Sequence, residues 1–168
     1  MTGLSYPEYP FAELFAPLLP ELDTLWWNTS FQQSPYPWDW REANPNWEHW
    51  LFLEVAVENR SPAYLWRPGK FSTLAPLLEF DEWSQMRGFV AAESDLAAIA
   101  EASQSWTPLR NHWPLLEPWQ GIHIVWIDGW WEVYTPRRDW LERLNTHRPG
   151  RWISSDNYGR NYPVWSIT

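Results

Sequence analysis

The stretch IHIVWIDGWWEVYT, residues 122 to 135, constrains the fold more than any other part of the chain. Asp128-Gly129 stands between two runs rich in β-branched and aromatic residues, a strong signal for a β-hairpin closed by a two-residue type I′ turn. Both turn positions then need positive φ, which Gly supplies freely and Asp tolerates. A turn of this length also fixes the register. Ile127 faces Trp130, Trp126 faces Trp131, Val125 faces Glu132, Ile124 faces Val133 and His123 faces Tyr134, with successive pairs on opposite sides of the sheet. One side carries Ile122, Ile124, Trp126, Trp131 and Val133 and reads as core. The other carries His123, Val125, Ile127, Trp130, Glu132 and Tyr134. This mixed face is either open to a partner through Trp130 and Glu132 or covered by a helix or loop.

A second hairpin is expected upstream. In HWLFLEVAVEN, Leu51, Leu53, Val55 and Val57 alternate with Phe52, Glu54, Ala56 and Glu58; NRSP at 59 to 62 is turn chemistry, and AYLWR at 63 to 67 is the return strand. Helices are expected near Pro10 to Leu19, in a helical middle that includes ESDLAAIAEAS with Ser94 or Asp95 as N-cap, and from Pro136 to about Asn145. In the last, Thr135 is the N-cap and Pro136 the first helical residue; Trp140, Leu141 and Leu144 form the apolar stripe, and Arg138–Glu142 and Asp139–Arg143 are solvent-side pairs. The tail from Arg151 has turn residues at Asp156 to Gly159 and β-prone runs that complete a sheet. Helices and hairpins in mixed order indicate an α+β fold: a single domain over residues 1–168, with a mainly antiparallel sheet built from two hairpins and packed helices.

Seventeen Trp and sixteen Pro against seven Gly give large rigid rings to pack and loops stiffened by proline. With no Cys there is no disulfide framework, thiolate metal site or cysteine nucleophile, which suits a reducing compartment. The amino terminus has no Arg or Lys before its apolar part and is broken by Pro7, Pro10, Pro17 and Pro20, so it reads as mature and cytoplasmic. No run of about 18 apolar residues indicates a membrane span. The formal net charge of −9 is uneven: residues 1 to 60 carry nine acidic and two basic side chains (net −7), residues 61 to 120 net −3, and residues 121 to 168 net +1. Such a chain repels nucleic acid and anionic membrane and attracts a basic protein, although the same charge also serves solubility.

No motif names a reaction. His49, His112, His123 and His147 lack metal-ligand spacing, and there is no phosphate loop or strand-elbow serine, so neither a cofactor nor an enzymatic activity is expected. Carboxylates are plentiful, with Glu54 and Glu58 on one strand face and Glu79, Asp81 and Glu82 clustered. A hydrolase using carboxylates and His123 is therefore an alternative.

The segment SPYPWDWREANPNWEHW, residues 34 to 50, sets Trp38, Trp40 and Trp47 among prolines and the charges of Asp39, Glu42 and Glu48. Fixed aromatic anchors beside charge are what protein interfaces use, and stiff loops lower the ordering cost of binding; the same rings could instead plug the core or stack on sugars. Trp38, Asp39, Trp40, Glu42, Trp47, Glu48, Trp130 and Glu132 are the candidate partner-binding residues.

In its small, acidic, cysteine-free and Trp-rich character, and locally in DGWWEVYTPRRDWLERL, the chain resembles the small acidic immunity proteins that accompany bacterial polymorphic toxins. The resemblance implies neutralisation of a basic cognate toxin or effector by tight occlusion and transfers no individual residue. A carbohydrate- or small-ligand-binding module with Trp platforms is the second expectation.

Overall fold

In a computed structural model, the structure describes residues 1–30, 42–46, 51–60, 62–74, 80, 83–103, 118–119 and 121–161. Among them, eight strands form one antiparallel sheet in the order β3-β4-β2-β5-β6-β7-β1-β8. The strands are β1 (Thr2–Pro7), β2 (Trp26–Ser30), β3 (Phe52–Val55), β4 (Ala63–Trp66), β5 (Trp83–Phe89), β6 (Ile122–Ile127), β7 (Trp130–Tyr134) and β8 (Arg151–Ser154). Helices α1 (Phe11–Leu14), α2 (Leu19–Leu22), α3 (Phe71–Leu74), α4 (Leu96–Ser103) and α5 (Arg138–His147) pack on it.

Both expected hairpins are present, and β6 pairs with β7 in the anticipated register, from His123↔Tyr134 to Ile127↔Trp130. Asp128 and Gly129 take φ of 36° and 108°, the left-handed pair that a type I′ turn requires. The hairpins are not neighbours, because β2 and β5 lie between them. The sheet is thus larger than two hairpins. β1 and β5 were not legible: the burial of Gly3 through Tyr6 and of Met86 through Phe89 is continuous, so neither strand shows the alternation of a half-exposed one. β5 instead falls in the stretch read as the helical middle.

One face of the sheet carries Leu4, Tyr6, Trp27, Met86, Ile124, Trp131 and Val133 into the main core. Phe11, Leu14 and Phe15, then Leu18 and Leu22, cover it from the amino-terminal segment, and Trp140, Leu141 and Leu144 cover it from α5. The helix expected over Pro10 to Leu19 is broken into α1, a 3₁₀ turn at Ala16–Leu18 and α2, each of the latter two with a proline in its first turn. Large rings fill this core, and two of them, Trp27 and Trp131, have their indole N–H groups satisfied. Trp27 stacks on Phe71 at 4.3 Å and 18° and donates to Leu22 O at 2.9 Å; Trp131 packs against Phe11, Phe15 and Phe80 and donates to Tyr9 O at 3.0 Å.

The other face is covered as well. Leu96 and Ile99 of α4 pack with Trp26, Leu65 and Phe89 at the β3–β4 end, and Tyr134 and Ile153 pack with Tyr158 at the β8 end. Gly3 lies beneath the Tyr134 ring, where a Cβ would come within 2.7 Å of Tyr134 Cδ1 and 2.4 Å of Val133 O.

Three details of the helices differ from expectation. Helical structure around α4 begins with a 3₁₀ turn at Glu93–Asp95, so Asp95 lies inside that turn and its carboxylate accepts the Ala92 N–H at 3.1 Å. α5 starts at Arg138 rather than Pro136, because Thr135 Oγ1 accepts the Arg137 N–H two residues earlier. Arg138–Glu142 forms as expected at 3.2 Å, but Asp139 is held by Arg137 at 2.8 Å, while Arg143 reaches Glu21.

Candidate functional site

The expected binding residues divide sharply. Trp38, Asp39, Trp40, Trp47 and Glu48 lie outside the described residues, and Glu42 is exposed. Trp130 is half-buried and donates its indole N–H to Glu132 Oε1 at 3.2 Å. Glu132 itself is 0 % exposed, which corrects its expected place on an open face. A carboxylate so enclosed cannot meet a partner in this conformation.

What Glu132 does instead follows from its donors. Oε2 accepts the Tyr134 hydroxyl at 2.5 Å and the Gly159 N–H at 2.9 Å, while Oε1 accepts the Asn161 N–H at 2.9 Å. Asn161 Nδ2 also donates to the Tyr134 hydroxyl oxygen at 2.9 Å. Backbone and side-chain donors thus replace the water that a buried carboxylate loses, and they tie the segment after β8 across β7. Burial, followed by the bond to Glu132, pushes the Tyr134 hydroxyl pKa up, so it remains a donor at ordinary pH. On the same face lie Arg87 and His123, paired in register; His123 Nε2 is 3.2 Å from the Tyr158 hydroxyl. Burial lowers the Arg87 pKa and raises that of Tyr158. Because His123 is only 2 % exposed, the pairing of His123 with a surface carboxylate in a hydrolase gains no support here.

The charged surface has a direction. Around α5 the cations are engaged: Arg137 with Asp139, Arg138 with Glu142, Arg143 with Glu21 and Arg148 with Glu13. The Arg143 hydrogen bond holds the Glu21 carboxyl below the usual range, and Arg137 does the same for Asp139. Arg138 also sits 4.1 Å over the Trp152 ring beside exposed Arg151 on β8. At the far end of the sheet, Glu54 of β3 faces Tyr64 of β4, and Glu58 follows in the turn. Glu54 and Glu58 are exposed, and neither forms an ion pair among the described residues. Tyr64, 51 % exposed, is one of three exposed large hydrophobics among the described residues. Seven strand spacings separate β3 from β8, about 34 Å at roughly 4.8 Å each when followed along the sheet. That is several Debye lengths at physiological salt, about 8 Å, so Arg151 does not screen Glu54 and Glu58; the cations of their own hairpin are Arg60, exposed two residues after Glu58, and Arg67 and Lys70 beyond β4. The alternation places Glu54 and Glu58 on one strand face, and only the sheet order shows that β3 is an edge.

Among the described residues, no group of three His, Asp or Glu side chains could hold a metal ion, and no helix is long and apolar enough to cross a membrane. Comparison of the chain with protein-family models, curated proteins and solved structures gives no match.

Proposed function

We propose that this chain is an acidic protein-binding protein of the cytoplasm that neutralises a basic partner, a cognate toxin or effector, by tight binding. The observation that supports this reading best is the β3 edge of the sheet, where the exposed carboxylates of Glu54 and Glu58, in no ion pair among the described residues, accompany the exposed ring of Tyr64 at the opposite end of the strand order from Arg151 of β8. Long-range attraction to such an edge speeds encounter, while buried aromatic contacts slow release. The Trp-rich segment that precedes β3, with Trp38, Trp40 and Trp47 beside Asp39, Glu42 and Glu48, supplies such anchors in this reading. Trp130, bonded to Glu132, belongs to the support of the sheet rather than to the interface.

The test is affinity capture from the native cell extract with the wild-type chain and, in parallel, with a folded variant carrying Glu42→Lys and Glu48→Lys. The reading requires one identifiable basic protein, retained by the first and depleted by the second, whose activity the wild-type chain suppresses at stoichiometric ratio. Equal retention by both proteins, or a captured protein whose activity is unaffected, overturns it.

A further inference from the structure

We propose that the outer edge of β3 is a docking strand, to which an extended basic segment of the partner adds as a further strand of the sheet. This rests on the basic-partner reading above and specifies its mode of contact.

The geometry of the ladder carries the inference. Arg67 N–H donates to Leu51 O at 2.9 Å, and the β3–β4 register continues that pairing as Leu53↔Leu65 and Val55↔Ala63. Closely bonded pairs recur at every second residue of an antiparallel ladder, so Glu54, between them, turns its N–H and C=O away from β4. Ala56, next in that series, is exposed. β3 is the terminal strand, and among the described residues no strand pairs with its outer side. Outward N–H and C=O groups on an edge are a template for strand addition, and the side chains beside them select what is added.

Here the exposed charge on the strand itself is that of Glu54, which favours a cation, while Glu58 and Arg60 follow in the turn. An incoming strand places a residue beside Glu54 with Cβ atoms roughly 4.5–5.5 Å apart, where opposite charges stabilise and like charges destabilise. Lys or Arg fits that place, and the Tyr64 ring across β4 offers a face for its aliphatic stem or cationic head. A second copy of β3 would instead set Glu54 and Glu58 near their own kind on a chain of net charge −9. The carboxylates that protect this edge from self-pairing are the ones that favour a basic strand.

The probe is a capped peptide of alternating lysine and valine, titrated at low salt into the isotope-labelled full chain while amide chemical shifts are followed. The expected result is saturable shifts at Glu54, Ala56 and their neighbours, with none from the glutamate-for-lysine counterpart. Glu54→Pro removes the outward N–H at a position where an edge strand tolerates proline, and it should abolish the shifts. Glu54→Lys with Glu58→Lys, which keeps the backbone donor, should weaken binding about tenfold or more. Shifts confined to residues 42–46, or shifts that survive Glu54→Pro in a folded variant, overturn the docking strand and leave the basic-partner reading intact. Concentration-dependent self-association abolished by the same variant also overturns it, by giving the edge to a second copy. If the peptide shifts no residue while the captured basic protein still binds, the partner uses another surface and this inference fails alone.

Discussion

Tyr134 donates its hydroxyl hydrogen to Glu132 Oε2 across 2.5 Å, two residues along the same strand and on the same face of it. The pair forms the centre of a buried network that holds Gly159 and Asn161. Glu132→Gln would turn an amide N–H₂ toward donors that now find a carboxylate, and leaving such groups unsatisfied costs about 2–3 kcal/mol. Urea unfolding should show that loss, and hydrogen exchange should show the Gly159 and Asn161 amides exchanging faster than the rest of the sheet. Unchanged exchange at those two amides would mean that the carboxylate does not hold the segment.

The adjacent tryptophans of β7 should behave differently. Trp131, 1 % exposed, is surrounded by Phe11, Phe15, Phe80 and Trp126, so Trp131→Ala should cost about 3–5 kcal/mol. Trp130 is half-buried and bonds Glu132; its alanine variant should cost less than Trp131→Ala, roughly 1–2 kcal/mol. Thermal or urea melts of the two variants provide the check, and equal losses would contradict the division.

At Gly129, φ of 108° leaves an L side chain strained even though the space around it is open. Gly129→Ala should therefore destabilise by about 1–2 kcal/mol with no change in the core, measurable as a lower urea midpoint at an unchanged m-value.

Acid stability should depend on the bonds around α5. Glu21 and Asp139 have lowered pKa values in the folded chain, so the unfolded chain takes up their protons first as pH falls. The stabilisation is complete above the ordinary carboxylate range, near about 4, and is lost as pH drops through the lower folded values. These pairs are partly exposed, so each contributes on the order of 0.2–1 kcal/mol, less in high salt. Glu21→Gln should lower the melting temperature at neutral pH and narrow the gap to wild type at strongly acidic pH. A gap that is constant with pH would contradict the assignment.

Legibility followed the physics of each segment. Asp128-Gly129 encodes its turn in local backbone preference, and with it the β6–β7 register, because nothing distant can override a two-residue loop that closely. The stripe of Trp140, Leu141 and Leu144 was equally clear, since one face of α5 is wet. β1 and β5 were hidden because burial on both faces erases alternation, and Arg87 and Gly88 on β5 are poor strand signals outside their context. The fate of Glu132 was not legible either. Whether a polar face is open depends on a segment some thirty residues later folding back over it, as the bonds to Gly159 and Asn161 show. The acidic edge needed the strand order, which joins β4 to β2 across a gap in sequence.

The central claim, capture of a basic partner through the exposed carboxylates at and before the β3 edge, is tested most directly by the association rate of that partner at low and physiological salt. We predict a wild-type rate that falls steeply as salt rises. A folded variant carrying Glu42→Lys, Glu54→Lys and Glu58→Lys should associate about tenfold more slowly at low salt and respond little to added salt. Equal association rates for the two proteins at low salt, with the same salt dependence, would contradict the account.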